Sequence, residues 1–238
     1  RAYEAQANVP ELPWSNALAI KEVVERVPSG SILHLAVNNA IRLANFFKLN
    51  PDVKVYANIG THGIDGPVSS LLGQAAASGK SAYLVVGDLA FFYDMNALRL
   101  RHIGTNVRIL LLNNQGGEEF YFNRMWKNEV SDLHTTARHH TKAEGWVREC
   151  GFRYLSARNE GELEEALVGF FNDAEEGPVL LEVFSEMRSD SDVIYSIFDA
   201  TRPRDVQSEA IRRSKELVKR TIGQEKAQRI AGVFKRGQ

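Results

Sequence analysis

The stretch VVGDLAFFYDMNAL, residues 85–98, passes from a buried strand into a helix through a Gly-Asp pair. Its first residues are apolar and β-branched, which is typical of a parallel strand covered on both faces. Asp88 therefore stands at the carboxyl end of that strand, where a helix begins. The start of a helix also favours an anion such as a phosphate. A cation held between the carboxylate and a phosphate would reconcile the two, so the stretch suggests a metal site.

Short apolar runs of the same kind recur along the chain and alternate with helical patterns. The strand-like runs cover residues 31–37, 53–58, 82–87, 107–113, 152–157 and 178–184, and the helical patterns cover residues 38–48, 65–78, 91–102, 138–150 and 160–172. This alternation predicts an α/β fold, a doubly wound three-layer sandwich around a six-stranded parallel sheet. Such sheets bind ligands beyond the carboxyl ends of their strands, which is where Asp88 falls.

The composition is that of an ordinary globular protein, with 238 residues, 44% hydrophobic content and a formal net charge of −1. We expect an N-terminal linker with a first helix in residues 1–30, a central domain in residues 31–187 and a basic helical extension in residues 188–238. Residues 201–238 hold 11 Lys and Arg against 4 Asp and Glu. We interpret this tail as a solvated amphipathic helix rather than a nucleic-acid surface.

Several other classes of protein are disfavoured. No apolar run approaches the roughly 20 residues of a membrane span, and no signal peptide is visible. Cys150 is the only cysteine, which excludes an internal disulfide and fits a cytoplasmic location. The chain starts at Arg1 rather than Met, so we expect a piece of a longer protein.

Three weaker motifs carry little weight. GQAAASGKS, residues 73–81, has five residues between its glycines where a P-loop has four, and no GxGxxG follows the first strand. In the run HTTARHH, residues 134–140, the histidines lack the helical spacing of metal ligands. We interpret His134, His139 and His140 as solvated or capping residues.

A second polar strand end follows in LLLNNQGGEEF, residues 110–120. Amide oxygens are hard ligands, and the two glycines allow backbone carbonyls to turn towards a ligand. The carboxylate of Asp88, an amide of Asn113 or Asn114, one backbone carbonyl and phosphate oxygens would form an all-oxygen octahedral set. Such a set favours Mg²⁺.

A Gly-Asp pair followed about 25 residues later by Asn-Asn resembles the signature of the thiamine-diphosphate-dependent enzymes. The runs ANIGTHGIDGPVSSLLGQAAASGK (57–80), GDLAFFYDMNAL (87–98), NNQGGEEF (113–120) and LHLAVNNAIR (33–42) are similar to the C-terminal, diphosphate-binding domain of one of their families. This is the family of 2-succinyl-5-enolpyruvyl-6-hydroxy-3-cyclohexene-1-carboxylate synthase, an enzyme of menaquinone biosynthesis. The resemblance covers residues 14–184 and leaves the basic tail out.

The resemblance implies the cofactors thiamine diphosphate and Mg²⁺, with Asp88, Asn114 and the Gly116 carbonyl as metal ligands. It implies that Ile64 holds the cofactor bent, so that its 4′-amino group reaches the C2 proton. The complete set of cofactor-binding residues implied is Gly63, Ile64, Gly87, Asp88, Leu89, Ala90, Asn114, Gly116, Gly117 and Phe120. The substrate-contacting residues implied are Asn38, Arg42, Ile59, His62 and Glu119.

Some of these positions depart from the family pattern. Ile59 stands where the family has an arginine, and Glu119 stands where it has an apolar residue. Asn38 replaces a serine and His62 replaces a small residue. We therefore expect either the synthase reaction, in which 2-oxoglutarate is decarboxylated and added to isochorismate, or a diverged enzyme acting on pyruvate or another 2-oxo acid. A non-catalytic diphosphate-binding domain is the third alternative.

The resemblance also implies a partner. In the family, the glutamate that activates the cofactor lies in a separate pyrimidine-binding domain, and active sites form between subunits. We therefore expect no activating residue in this chain, no turnover by the chain alone, and a homodimer or homotetramer in the complete enzyme.

Overall fold

The computed structural model describes residues 6, 8–60, 62–122, 130, 134–172 and 177–201. Six strands lie in this part of the chain: β1 (Ile32–Leu35), β2 (Lys54–Ala57), β3 (Ala82–Gly87), β4 (Val107–Asn113), β5 (Arg153–Ala157) and β6 (Val179–Phe184). They form one sheet in the order β2-β1-β3-β4-β6-β5, and every neighbouring pair is parallel. All six predicted strands are present, and the predicted α/β class is confirmed.

The helices of the described residues are α1 (Asn16–Val24), α2 (Asn39–Ala44), α3 (Pro67–Ser78), α4 (Asp88–Asp94), α5 (Glu118–Phe122), α6 (Glu144–Glu149), α7 (Glu160–Phe170) and α8 (Met187–Thr201). A 3₁₀ turn, Met95–Arg99, continues α4. Their ends follow local chemistry. Ser15 caps α1 by accepting the Leu18 N–H at 3.2 Å, and Asn159 caps α7 by accepting the Glu162 N–H at 3.0 Å.

The core lies in the middle of the sheet. Every residue of β1, β4 and β6 is buried, and so are the first five of β3. Strands buried on both faces require helices on both sides of the sheet, as the unbroken Val, Leu and Ile runs predict. Strand β2 is an edge strand, and its side chains are mostly exposed. Within the described residues, no helix is both long enough and apolar enough to cross a membrane.

Two predicted helices are shorter in the structure. The pattern over residues 138–150 forms a helix only at Glu144–Glu149, because the backbone before it is engaged elsewhere. His139 N donates to Gln115 O at 3.1 Å, and Ala143 N donates to the Glu182 carboxylate. The pattern over residues 38–48 ends at Ala44, where tight turns place Phe47 in the core.

Helix α8 packs against α5 and α1, and its residues Val193, Ile194 and Ile197 are buried. It begins at Met187, one residue before the extension predicted for residues 188–238. The described residues up to Thr201 form one compact unit. The predicted helix in the tail after Thr201 lies outside the described residues.

Candidate functional site

A cavity of about 320 Å³ lies at the carboxyl ends of β1, β3 and β4. These strands are neighbours in the sheet, and the chain leaves β1 for β2 on one side and reaches β3 on the other. Parallel sheets bind ligands at such a reversal of strand order. The fold therefore creates the cavity at the carboxyl end of the sheet, where the sequence places Asp88.

The segment after β1 and the loop before α3 both approach the cavity in unusual backbone conformations. Asn38 has φ +65° and ψ −128°, and His62 has φ +54°. Non-glycine residues with positive φ are uncommon and are concentrated at functional sites. Both residues line the cavity, and so does Ile64, which also packs on the core.

Asp88 is the buried carboxylate of the site, with 2% of its surface exposed. It is the first residue of α4, and its Oδ1 accepts the Leu89 N–H at 2.6 Å. Its Oδ2 accepts the Gly116 N–H at 3.0 Å, which joins the end of β3 to the turn after β4. The Asp88 side chain is therefore fixed in place by backbone donors from two elements.

The turn after β4 is stabilised from beneath by a buried carboxylate. Glu182 on β6 is fully buried and accepts the Asn113 Nδ2 at 2.6 Å and the Tyr154 hydroxyl at 2.6 Å. The Asn113 Oδ1 in turn accepts the Gln115 N–H at 3.2 Å. The chain then reverses through Gln115 at φ +68° and Gly116 at φ +154°. Asn113 therefore shapes the turn, while Asn114 and Gly116 line the cavity.

The orientation of the Asn114 amide is set by two carboxyl groups. Its Nδ2 donates to the Glu118 Oε2 at 2.9 Å and to the Asp190 Oδ2 at 3.3 Å. An amide whose nitrogen is held in this way presents its oxygen on the opposite side. Asn16 and Ser185 complete this buried cluster, because the Asn16 N–H donates to Asp190 at 2.9 Å and the Ser185 hydroxyl lies 2.6 Å from the same carboxyl.

Burial raises the pKa of the Glu118 carboxyl well above its usual range, and the neighbouring Asp190 raises it further. Burial also raises the pKa of Asp190, while hydrogen bonds from Ser185 and Asn16 oppose that rise. The Glu118 Oε1 is buried without a hydrogen-bond partner. This pair was not predicted from the sequence, because the two residues are 72 positions apart (190 − 118) and Asp190 lies outside every run quoted above. The only signal was an acidic residue within an otherwise glycine-rich turn.

The interpretation of His139 as a solvated residue needs correction. Its Nε2 lies 3.2 Å from the Asp88 Oδ2, and its side chain is only 16% exposed. It does make a local capping contact, because its Nδ1 accepts the Thr141 N–H at 3.1 Å. His139 therefore contacts the main carboxylate of the site, which sequence spacing alone did not indicate.

Comparison with known proteins places this geometry in a family. A family model described as "Thiamine pyrophosphate enzyme, C-terminal TPP binding domain" matches residues 36–183, a segment that contains β2 to β5, nearly all of β6 and most of the cavity edge. The chain belongs to this family of thiamine pyrophosphate enzymes. Thiamine pyrophosphate is another name for thiamine diphosphate, so the predicted family and the predicted organic cofactor are confirmed, whereas Mg²⁺ stays a prediction.

Individual relatives share a more specific name. The chain is 42% identical over 188 residues to a 2-succinyl-5-enolpyruvyl-6-hydroxy-3-cyclohexene-1-carboxylate synthase of Phocaeicola vulgatus, and this alignment covers 78% of the chain and 34% of that protein. It is 43% identical over 187 residues to the synthase of Bacteroides fragilis, with the same coverage. The synthase of Bacteroides thetaiotaomicron is 42% identical. The chain thus spans about a third of the length of the curated relatives that it matches.

The cavity brings together most of the residues predicted for cofactor and substrate. Of the predicted cofactor residues, those lining it are Ile64, Gly87, Asp88, Leu89, Ala90, Asn114, Gly116, Gly117 and Phe120, and Gly63 does not. Of the predicted substrate residues, Asn38, His62 and Glu119 line it. Arg42 is paired with Glu119 instead, and Ile59 is 48% exposed away from the lining. The individual roles of these residues stay predictions.

The residues at this site fit Mg²⁺ and a diphosphate by their chemistry. One carboxylate and one amide with its oxygen directed away from Glu118 and Asp190 both line the same cavity, and both are hard oxygen donors. No group of three or more His, Cys, Asp and Glu forms a metal cluster among the described residues. A metal site in which Asp88 is the single carboxylate ligand is consistent with that, because the remaining ligands would be an amide, a backbone carbonyl and the diphosphate.

Proposed function

We propose that this chain is the diphosphate- and Mg²⁺-binding half of the active site of a thiamine-diphosphate-dependent 2-oxo acid decarboxylase or carboligase, most like the synthase of its relatives. The observation that carries the proposal is the orientation of the Asn114 amide beside Asp88 at the lip of one cavity. Because two buried carboxyl groups bind the Asn114 nitrogen, its amide oxygen is the atom left to act as a ligand.

The proposed roles are those that the resemblance implies, and the shared cavity supports them. Asp88, Asn114 and the Gly116 carbonyl would hold Mg²⁺, and the backbone of Gly87, Leu89 and Ala90 would contact the diphosphate. Ile64 supports the bent form of the cofactor from the loop before α3. When bound, thiamine diphosphate supplies a carbanion-stabilising centre for decarboxylation, and the protein contributes position and electrostatics.

We further propose that the site is completed by a pyrimidine-binding domain outside the residues of this chain, in a homodimer or homotetramer. The coverage of about a third of the relatives supports this, since they have room for another domain. An apolar side chain at the cavity supports it as well, because Phe120 lines the cavity and is 39% exposed. Exposed apolar patches of this kind mark interaction surfaces.

The substrates proposed are 2-oxoglutarate as donor and isochorismate as acceptor, by analogy with the synthase whose name the relatives carry. A diverged enzyme that acts on pyruvate is the second candidate, because Glu119 places an extra carboxylate at the cavity. Like-charge repulsion weakens the binding of a substrate that carries several carboxylates.

The test is a turnover assay of two proteins, the chain alone and the chain joined behind the N-terminal two thirds of the Phocaeicola vulgatus synthase. Carbon dioxide release is followed with thiamine diphosphate, Mg²⁺ and 2-oxoglutarate, with and without isochorismate, and again with pyruvate. We expect no turnover by the chain alone and isochorismate-dependent turnover by the hybrid. Turnover by the chain alone would contradict the proposal, as would a hybrid that binds cofactor and converts no oxo acid. Turnover of pyruvate alone would favour the diverged enzyme.

A further inference from the structure

The predicted substrate residue Arg42 already binds a carboxylate, and that carboxylate belongs to the chain itself. Its Nη1 donates to the Glu119 Oε2 at 2.6 Å and its Nη2 donates to the Glu119 Oε1 at 3.1 Å. A second contact from Nη1 reaches the Asn39 side chain. Two parallel bonds between a guanidinium and a carboxylate are the geometry in which arginine binds carboxylate ligands.

Only one residue of the Arg42–Glu119 pair lines the cavity. Glu119 lines the cavity, whereas Arg42 on α2 does not. The side chains are 28% and 24% exposed, so the pair is shielded from solvent but not sealed off. Glu119 therefore stands between the guanidinium and the space in which a ligand would lie.

The charged side chains that line the cavity are acidic in the described part of the chain, so the position of the Arg42 cation affects which ligands can bind. Its lining contains the carboxyl groups of Asp88, Glu118 and Glu119, and in the described part of the chain no Lys or Arg lines it. Of these three, Glu119 is the carboxylate that contacts Arg42. Arg42 contacts a residue of this lining, Glu119, and that contact already occupies its guanidinium.

We propose that Glu119 is a specificity-determining residue, because it occupies the Arg42 guanidinium from within the chain and a ligand carboxylate reaches that guanidinium only by displacing it. Ligands with a neutral hydrogen-bonding group at this end enter without that competition. Glu119 therefore weakens the binding of dicarboxylates relative to monocarboxylates. The consequence for substrate choice rests on the proposed function, whereas the competition itself is a property of this chain.

The experiment is a calorimetric titration of the 238-residue chain with succinate, in the absence of thiamine diphosphate and Mg²⁺. Glu119→Gln keeps the side-chain shape and removes the charge, so we expect it to bind succinate about fivefold more tightly or better than the unmodified chain does. Adding Arg42→Gln to that variant should abolish the gain. Glu144→Gln, which disrupts the surface pair of Glu144 and Arg148, is the matched control and should leave succinate binding unchanged.

A second readout reports on Arg42 directly. The side-chain Nε–H resonance of Arg42 should respond to succinate in Glu119→Gln at concentrations that leave the unmodified chain unaffected. Glu119→Ala should give the same result, and circular dichroism confirms that each variant is folded. Equal succinate affinity in Glu119→Gln and the unmodified chain would overturn the proposal, as would a gain that survives Arg42→Gln.

The two proposals fail separately. Succinate binding is measured without cofactor, so a gain in Glu119→Gln stands even if thiamine diphosphate binding is absent. Conversely, Mg²⁺-dependent cofactor binding without any gain leaves the proposed function intact and removes only the role of Glu119.

Discussion

The side chains that arrange this site are mostly ones that no ligand would touch. Glu182 sits beneath the turn after β4, and its contact with Asn113 holds the residue that precedes Asn114. It is fully buried, and its partners are an amide, a hydroxyl and the Ala143 N–H. A buried carboxylate of this kind is stable only while its partners remain, because an unpaired buried charge is strongly destabilising.

Tyr154→Phe tests this network at the scale of one atom. The change removes the hydroxyl that donates to Glu182 at 2.6 Å, and we expect the free energy of unfolding to fall by about 1–2 kcal/mol at pH 7. Burial raises the pKa of Tyr154, and the Glu182 carboxylate raises it further. The stability due to the hydroxyl is therefore fully present below the unfolded pKa of about 10 and is lost as the pH rises through the folded pKa.

The measurement is urea unfolding of the two proteins at pH 7 and at stepwise higher pH. The difference between them should shrink above about pH 10. Tyr93→Phe is the matched control, since Tyr93 is 70% exposed, and it should change stability little at any pH. A Tyr154→Phe protein as stable as the unmodified chain at pH 7 would show that Glu182 does not need the hydroxyl.

At the scale of elements, the two glycines after Asn114 have a steric requirement as well as a chemical one. A Cβ on Gly116 would lie 2.7 Å from the backbone oxygen of Thr136, and Gly116 has φ +154°. The Thr136 carbonyl also accepts the Gly117 N–H at 2.6 Å, so the two segments are locked together. The turn after β4 therefore depends on the absence of a side chain.

Gly116→Ala is predicted to lower the free energy of unfolding by about 2–4 kcal/mol, because a backbone atom must move to admit the methyl group. Gly73→Ala is the control. Gly73 lies inside α3, where an added Cβ would have no atom within 4 Å, and there alanine should raise stability by about 0.5–1 kcal/mol. Thermal unfolding of both variants should show a lower melting temperature for Gly116→Ala and a higher one for Gly73→Ala. An unchanged free energy of unfolding in Gly116→Ala would mean that the backbone of the turn can move to admit the methyl group, contrary to this prediction.

Arg108 joins strand β4 to the end of helix α7. It is 3% exposed, and it donates to the carbonyl oxygens of Phe170 at 2.8 Å, Asn172 at 3.1 Å and Thr105 at 2.5 Å. These include carbonyls at a helix end, which lack partners within the helix. The buried guanidinium is therefore stabilised by carbonyl dipoles.

Arg108→Met should lower the free energy of unfolding by about 2–4 kcal/mol, because it leaves buried carbonyls without donors. Arg26→Met is the control, since Arg26 forms an exposed pair with Glu22 on α1 and such pairs contribute under about 1 kcal/mol. Chemical denaturation with a comparison of midpoints measures both. Equal losses in the two variants would contradict the role assigned to Arg108.

The helices and strands also show which parts of the fold could be predicted from the amino-acid sequence. The six strands follow from hydrophobic runs, because burial on both faces leaves a local signature at every position. The ends of α2 and α6 could not be predicted in this way, because tertiary hydrogen bonds such as that from Ala143 N to Glu182 override helical preference. At the site, Asp88 and Asn114 carry a motif, whereas the pairing of Arg42 with Glu119 depends on two residues 77 positions apart.

At the scale of the whole molecule, we propose that the chain provides one wall of a site. The parallel strands bring Asp88 and Asn114 to the same carboxyl end of the sheet, and the exposed Phe120 lines the cavity with them. Membership in the thiamine pyrophosphate enzymes and coverage of about a third of its relatives agree with a domain that works beside another. We therefore expect no turnover by the chain alone.

The most direct test of the account is a titration of the chain with thiamine diphosphate in the presence of Mg²⁺ and again with EDTA, using the unmodified chain, Asp88→Asn and Asp52→Asn. Asp52 is an exposed residue before β2, at the opposite end of the sheet from the cavity, so its variant controls for loss of charge. We predict saturable binding that requires Mg²⁺, is lost in Asp88→Asn and is kept in Asp52→Asn. Binding that is absent, indifferent to EDTA or equal in Asp88→Asn would contradict the assignment of this cavity as the Mg²⁺-diphosphate site.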